Sequence, residues 1–308
     1  MGDVEIGASE DWCRERARQV ALSFYRGMSL TPPDRRGALF AVYAWMRAAD
    51  DAADDLPMPE GLALLQRIRH RSEAIFEGRW DGTGLADSEG AVEPYWRAFA
   101  AAVQRYPLRL TWFAEMLDGL EADARATPGT VRFATLSQLS TYRHQVGGIV
   151  GLACTAVWGV REGSMWGEAL HLADTRGRAF QLINVLRDIG PDADCGRIYI
   201  PGSELQRFGL TPAGLAAWTN PVACGSLVRA MVRTAQGELG GTWRYERLLS
   251  PGCEAAAWAL RASYLGIAQI LEREPERGVR GKRARAPHWA KALIAARAVG
   301  TRPWMVNA

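Results

Sequence analysis

LFAVYAWMRAADDAADD, residues 39–55, runs an apolar helical face straight into four aspartates. Leu39, Val42, Tyr43 and Met46 recur at the i, i+3, i+4, i+7 spacing of one helix face, and Asp50 and Asp54 continue that face. Carboxylates are doubly misplaced there. They crowd the negative end of the helix dipole, and Asp50/Asp54 and Asp51/Asp55 are like-charged pairs four residues apart, each effect costing roughly a few tenths of a kcal/mol at an exposed site. A divalent cation would reverse both signs, because carboxylate-lined oxygen sites suit Mg2+. The spacing leaves two readings open: a solvated acidic helix end leading into Leu56-Pro57, or a cation site.

The helical period extends in both directions. Asp11 can cap a helix over 12–28, which Thr31-Pro32-Pro33-Asp34 breaks; a second helix runs from about Asp34 into the acid turn. Beyond Pro57 and Pro59 the pattern predicts helices over 60–76, 92–105 and 108–126, with a Gly/Asp-rich loop at 78–90 and a break at Pro107. A long helix over 136–158 follows. Its centre holds Gly147, Gly148 and Gly151, each costing about 1 kcal/mol relative to Ala, which implies close approach by another helix or a ligand. Further helices are predicted at 165–189, 227–249, 253–272 and 288–298, with a loop at 205–212 and a short helix after it. No sustained period-2 alternation and no Asn-Gly hairpin occurs, so the expected architecture is all-α.

At 308 residues and 48% apolar composition the chain can bury a large core, and no linker divides it, so a single domain over 1–308 is expected. A net charge of +3 is too small to make nucleic acid the main partner. Five scattered cysteines without metal-ligand spacing read as reduced cytoplasmic thiols. The acidic N-terminus lacks the apolar stretch of a secretory signal. The uncharged run 145–160 is shorter than the roughly 20 residues of a membrane span and reads as a buried helix, which leaves peripheral membrane contact open.

RAFQLINVLRDIGPD, residues 178–192, repeats the anomaly. Gln181, Asn184, Asp188 and Asp192 form one polar stripe ringed by Phe180, Leu182, Ile183, Val185 and Leu186. Such a stripe faces either a buried structural network or a polar cavity, and its oxygens suit an Mg2+ that completes its shell with water and substrate phosphate. Arg47 and Arg187 stand beside the two acid groups, as plain salt bridges or as diphosphate ligands. Together the stripes suggest ionisation of an allylic diphosphate, with the carbocation held in an aromatic-lined pocket. Phe24, Tyr25, Tyr43, Trp45 and Tyr264 are candidate lining residues.

At this point the chain resembles the squalene/phytoene synthases, which join two prenyl diphosphates head to head. The resemblance covers nearly the whole chain and is carried by SFYRGMSLTPPDRRGALFAVYAWMRAADDAADD (23–55), YRHQVGGIVGLACTAVWG (142–159) and GRAFQLINVLRDIGPDADCGRIYIP (177–201). It implies the all-α isoprenoid-synthase bundle around a central active-site cavity. It implies Asp50, Asp54, Asp188 and Asp192 as metal ligands. Tyr142, Arg187 and Tyr264 are implied as catalytic, and Ser23, Phe24, Tyr43, Arg47, Gln181, Asn184, Arg280 and Lys282 as substrate-binding. The segment 197–201 is implied to shape a loop near the site. This chain departs from many relatives at Ala21-Leu22 and Ala48, where polar or basic residues are common, at Pro191 in place of an acid, and at Gly281.

The expected function is Mg2+-dependent head-to-head condensation of two farnesyl diphosphates through a cyclopropylcarbinyl diphosphate to a squalene-type product. Two alternatives stand beside it: phytoene synthesis from two geranylgeranyl diphosphates, and prenyl transfer to a non-isoprenoid aromatic acceptor, motivated by Ala21, Leu22 and Ala48. NADPH has no supporting dinucleotide fingerprint.

Overall fold

The computed structural model describes residues 3–20, 22–82, 94–279, 294, 296–300 and 302. It is built from helices; among the described residues extended pairing is confined to two isolated bridges, Val131 with Ile198 and Val160 with Leu249. None of these helices is long and apolar enough to cross a membrane.

The helices of the first half are α1 (Asp3–Val20), α2 (Leu22–Met28), α3 (Pro33–Asp54), α4 (Glu60–Phe76), α5 (Tyr95–Arg105) and α6 (Leu110–Ala124). α3 starts where Pro33, preset for the first helical turn, needs no hydrogen-bonded N–H. It then packs against α1, α4, α5, α6 and the later helix α8 (Ile149–Trp158). Its inner face is apolar and close-packed: Trp45 is fully buried, stacks on Phe99 at 5.7 Å, meets the edge of Phe113 at 4.7 Å, and donates from Nε1 to Ser72 Oγ at 2.9 Å.

A capping box opens the middle of the chain, with Thr135 and Gln138 satisfying each other's end of α7 (Leu136–Arg143). A π-helical turn, His144–Gly148, joins α7 to α8. Across from it runs α9 (Trp166–Arg187), followed by α10 (Ile189–Asp194). A Cβ on Gly147 would lie 2.6 Å from the Gly177 carbonyl oxygen, and one on Gly151 would lie 2.4 Å from that of Ala173. The glycines of the long helix are therefore the contact surface for α9, so of the helix or ligand that their cost implied it is a helix that approaches. Short helices α11 (Gly202–Arg207) and α12 (Pro212–Ala216) precede α13 (Pro221–Gly241), α14 (Tyr245–Leu248) and α15 (Glu254–Arg273). α9 packs on α13 and α15 to make a second buried cluster, and Val146 and Phe180 pack against both clusters.

Several boundaries differ from expectation. α1 begins at Asp3, so Asp11 lies within the helix and does not cap it; Glu5 in the first turn instead complements the positive end of the dipole. α13 begins at Pro221, because Asn220 accepts from the Ala223 N–H at 3.1 Å with Pro221 at the first helical position. It ends at Gly240-Gly241, so 242–249 does not continue it. Residues 202–207 are helical where loop was expected from 205. α9 stops at Arg187; Asp188 leaves helical geometry (φ −109°, ψ 16°), and the chain restarts as α10. That break puts Pro191 in a first turn, where its missing N–H costs nothing.

Candidate active site

The last turn of α3 meets the loop that follows α10. Arg197 pairs with the Asp54 carboxylate at 2.8 Å and donates to the Asp54 carbonyl at 3.1 Å, while its own N–H bonds the Asp192 carbonyl at 2.7 Å. Gly196 makes this turn possible: its φ is 73°, a Cβ there would lie 2.9 Å from Pro128, and its carbonyl accepts from the Gly129 N–H at 2.8 Å. One arginine thus ties the first acid motif to the second.

The carboxylates feel one another. The Asp50 side chain keeps 38% of its surface, and its carboxyl is pushed up to about 7 by burial and then by the Asp54 charge, against the pull of Arg47. Burial and Asp188 push Asp192 up to about 7, with Arg197 opposing and Asp54 adding to the shift. Asp54 at the rim is raised by burial, opposed by Arg197, with Asp123 adding repulsion. Asp188 is buried and held by Arg187 through two bonds, at 3.0 and 2.5 Å.

The sequence did not single out Asp123, Tyr199 and Arg132. Asp123, in the last turn of α6, accepts from Arg132 Nε at 3.0 Å, from the Tyr142 hydroxyl at 3.3 Å and from the Tyr199 hydroxyl. Burial raises both phenols, Tyr142 well above its ordinary value, so each stays protonated. The signal that could have found Asp123 is the one that found Asp50: an acid at the negative end of a helix.

Aromatic residues line the approach from both halves. Phe24 stacks on Tyr43 at 5.6 Å between ring centroids, and Phe180 stacks on Tyr264 at 3.9 Å. Tyr43 senses the charges of Arg47 and Asp50, and Tyr264 those of Arg187 and Asp188. Two expected lining residues face elsewhere: Trp45 belongs to the α3/α5/α6 core, and Tyr25 stacks on Phe40 at 5.5 Å. Ala48 lines a separate cleft with Trp12 and Arg16, so the missing base at 48 does not alter the face that carries Asp50. The Ser23 side chain, Ala21, Arg280, Gly281 and Lys282 lie outside the described residues.

Among the described residues no three acidic, histidine or cysteine groups converge on one ion position; arginines engage the acids instead. The donor set still fits a hard cation with a diphosphate. It is all oxygen, from carboxylates with the Gln181 and Asn184 amides beside them. Asn184 donates to Gln181 at 3.1 Å while its own Oδ1 is buried without a hydrogen-bond partner, and Arg47 Nε is a buried donor in the same state.

An all-α bundle with two acid motifs joined across an arginine and flanked by aromatic stacks has the form of a prenyl-transferring enzyme. The squalene/phytoene synthase family model matches residues 17–290, and the chain belongs to that family of head-to-head prenyltransferases. It is 30% identical to the phytoene synthase of Arthrospira platensis over 92% of this chain and 90% of that protein. It is 32% identical to the presqualene diphosphate synthase of Sinorhizobium fredii over 72% of this chain and 75% of that one. The fold is similar to that of a dehydrosqualene synthase solved with a ligand, with TM-score 0.81 and 22% identity over 97% of this chain and 98% of the other.

Proposed function

We propose that this enzyme condenses two identical prenyl diphosphates head to head through a cyclopropylcarbinyl diphosphate, with farnesyl diphosphate as substrate. The observation that carries the proposal is the meeting of Asp50/Asp54 and Asp188/Asp192 across Arg197, with the carboxyls of Asp50 and Asp192 pushed up to about 7 by burial and by the neighbouring acids. When bound there, Mg2+ would neutralise those carboxylates and stabilise the departing pyrophosphate. Arg47 and Arg187, each anchored by a neighbouring aspartate, turn their remaining donors toward phosphate oxygens. The Phe24/Tyr43 and Phe180/Tyr264 stacks exclude water and offer ring faces to the allylic cation. Once that pyrophosphate has left, C1 of the cation is attacked by the double bond of the second prenyl chain, which keeps its own diphosphate, and a proton is lost as the three-membered ring closes. Tyr142, bonded to Asp123, provides a path from a neutral phenol to a carboxylate for that proton.

The similarity to phytoene synthases favours a second reading in which the same chemistry takes geranylgeranyl diphosphate. Incubation of the purified chain with Mg2+ and either diphosphate, followed by mass spectrometry, tests both. The expected result is a C30 or C40 cyclopropylcarbinyl diphosphate or a hydrocarbon derived from it. Pyrophosphate release only in the presence of an aromatic acceptor, with no dimeric product, would overturn the proposal.

A further inference from the structure

Arg47 is held on both sides by carboxylates of its own helix. Its Nη1 donates to Asp50 at 2.9 Å, and its Nη2 pairs with Asp51 Oδ1. Asp51 projects about 100° further round α3 than Asp50. It lines a cavity of about 590 Å3 among α1, α3, α4 and α5, together with Trp12, Arg16, Leu64 and Trp96. From that far side Arg16, on α1, donates to the other Asp51 oxygen, Oδ2, at 2.9 Å. The two oxygens of Asp51 are thereby divided, one for each arginine.

That division has a consequence for the guanidinium in the site. A carboxylate with both oxygens free takes an arginine through two parallel bonds, the strongest and most directional arrangement available to the pair. Released from Arg16, Asp51 could rotate to hold Arg47 in that way and draw it toward α1, away from Asp50. With Oδ2 occupied, Asp51 gives Arg47 a single tether. The Arg47 Nε is left buried and without a hydrogen-bond partner.

We infer that Arg16 is a positioning residue: by occupying one oxygen of Asp51 it keeps the Arg47 guanidinium aimed at the substrate diphosphate, and so makes α1 part of the binding apparatus. The inference rests on Arg47 as a diphosphate ligand. The two can fail separately. Calorimetric titration of the full chain with inorganic pyrophosphate in the presence of Mg2+ reads the arrangement directly, with KM and kcat for the prenyl diphosphate measured alongside.

Arg16→Ala is expected to weaken pyrophosphate binding by roughly three- to fivefold, the scale of one partly exposed ion pair, and to raise KM more than it lowers kcat. Arg16→Lys, which keeps a cation on Oδ2, should stay within about twofold of wild type. The discriminating variant is Arg16→Ala/Asp51→Asn. Removing the competing carboxylate should restore part of the lost affinity, whereas a purely structural role for the pair would leave the double variant no better than the single one. Arg16→Gln serves the same comparison if the alanine variant does not fold. Wild-type affinity in Arg16→Ala and Arg16→Gln, or no recovery in the double variant, overturns the inference alone. Failure of the wild-type chain to bind pyrophosphate with Mg2+ overturns the role of Arg47 as well.

Discussion

Asp50 and Asp192 gain protons that the unfolded chain would release. Both titrate at about 7 in the folded protein against an ordinary value of 3.8, so between those limits the folded state binds more protons than the unfolded one. Their contribution to stability must therefore fall as pH rises through that window. Thermal unfolding in chelator, followed by circular dichroism from about pH 5 to pH 8, should show a decline in Tm that is markedly flatter in Asp50→Asn/Asp192→Asn; an equal slope in both proteins would contradict the coupling. Asp50→Ala and Asp188→Ala should each abolish pyrophosphate release while leaving the helical circular dichroism intact. Full activity in either variant would show that the metal assignment is wrong. The acid stripes were legible because each breaks a local rule of helix design. Asp123 breaks the same rule singly, without a second acid at helical spacing, and only the fold brings Tyr142, Tyr199 and Arg132 onto it.

The contact of α8 and the π turn with α9 shows geometry overriding propensity. Gly→Ala in a helix ordinarily stabilises by about 1 kcal/mol. At Gly177, however, a new Cβ would stand 2.2 Å from the Gly147 carbonyl oxygen, a backbone atom that cannot move aside. Gly177→Ala is expected to destabilise by about 1–3 kcal/mol through overpacking, while Gly237→Ala on α13, with nothing within 4 Å of the new methyl group, should stabilise by about 0.5–1 kcal/mol. Urea unfolding of the two variants checks the opposite signs; two shifts in the same direction would refute the close-contact account. The long helices were readable from the apolar period, whereas the short α11 was not. The ends moved where a local signal was stronger than the period, as at Asn220-Pro221, or where tertiary contact bent the chain, as at Asp188.

At the scale of the whole molecule, the two buried clusters are joined by polar as well as apolar contacts. Arg176 on α9 is held by Glu246 on α14 at 2.8 and 3.1 Å and by the Thr242 carbonyl at 2.7 Å, with Arg261 of α15 also 3.4 Å from Glu246. Glu246 is fully buried, so Glu246→Leu strands a guanidinium without its counter-ion and should cost about 3–5 kcal/mol. A loss below about 1 kcal/mol, the value of an exposed pair, would mean that water reaches the pair.

The central claim is that the acids of α3 and those of the α9/α10 junction form two walls of one metal-diphosphate site. The most direct measurement is anomalous diffraction from crystals grown with Mn2+ and a non-ionisable thio analogue of farnesyl diphosphate. The claim predicts ions bound by Asp50/Asp54 and by Asp188/Asp192 that share oxygens of a single diphosphate. Ions confined to one wall, or a diphosphate seated in the cleft between α1 and α4, would contradict it.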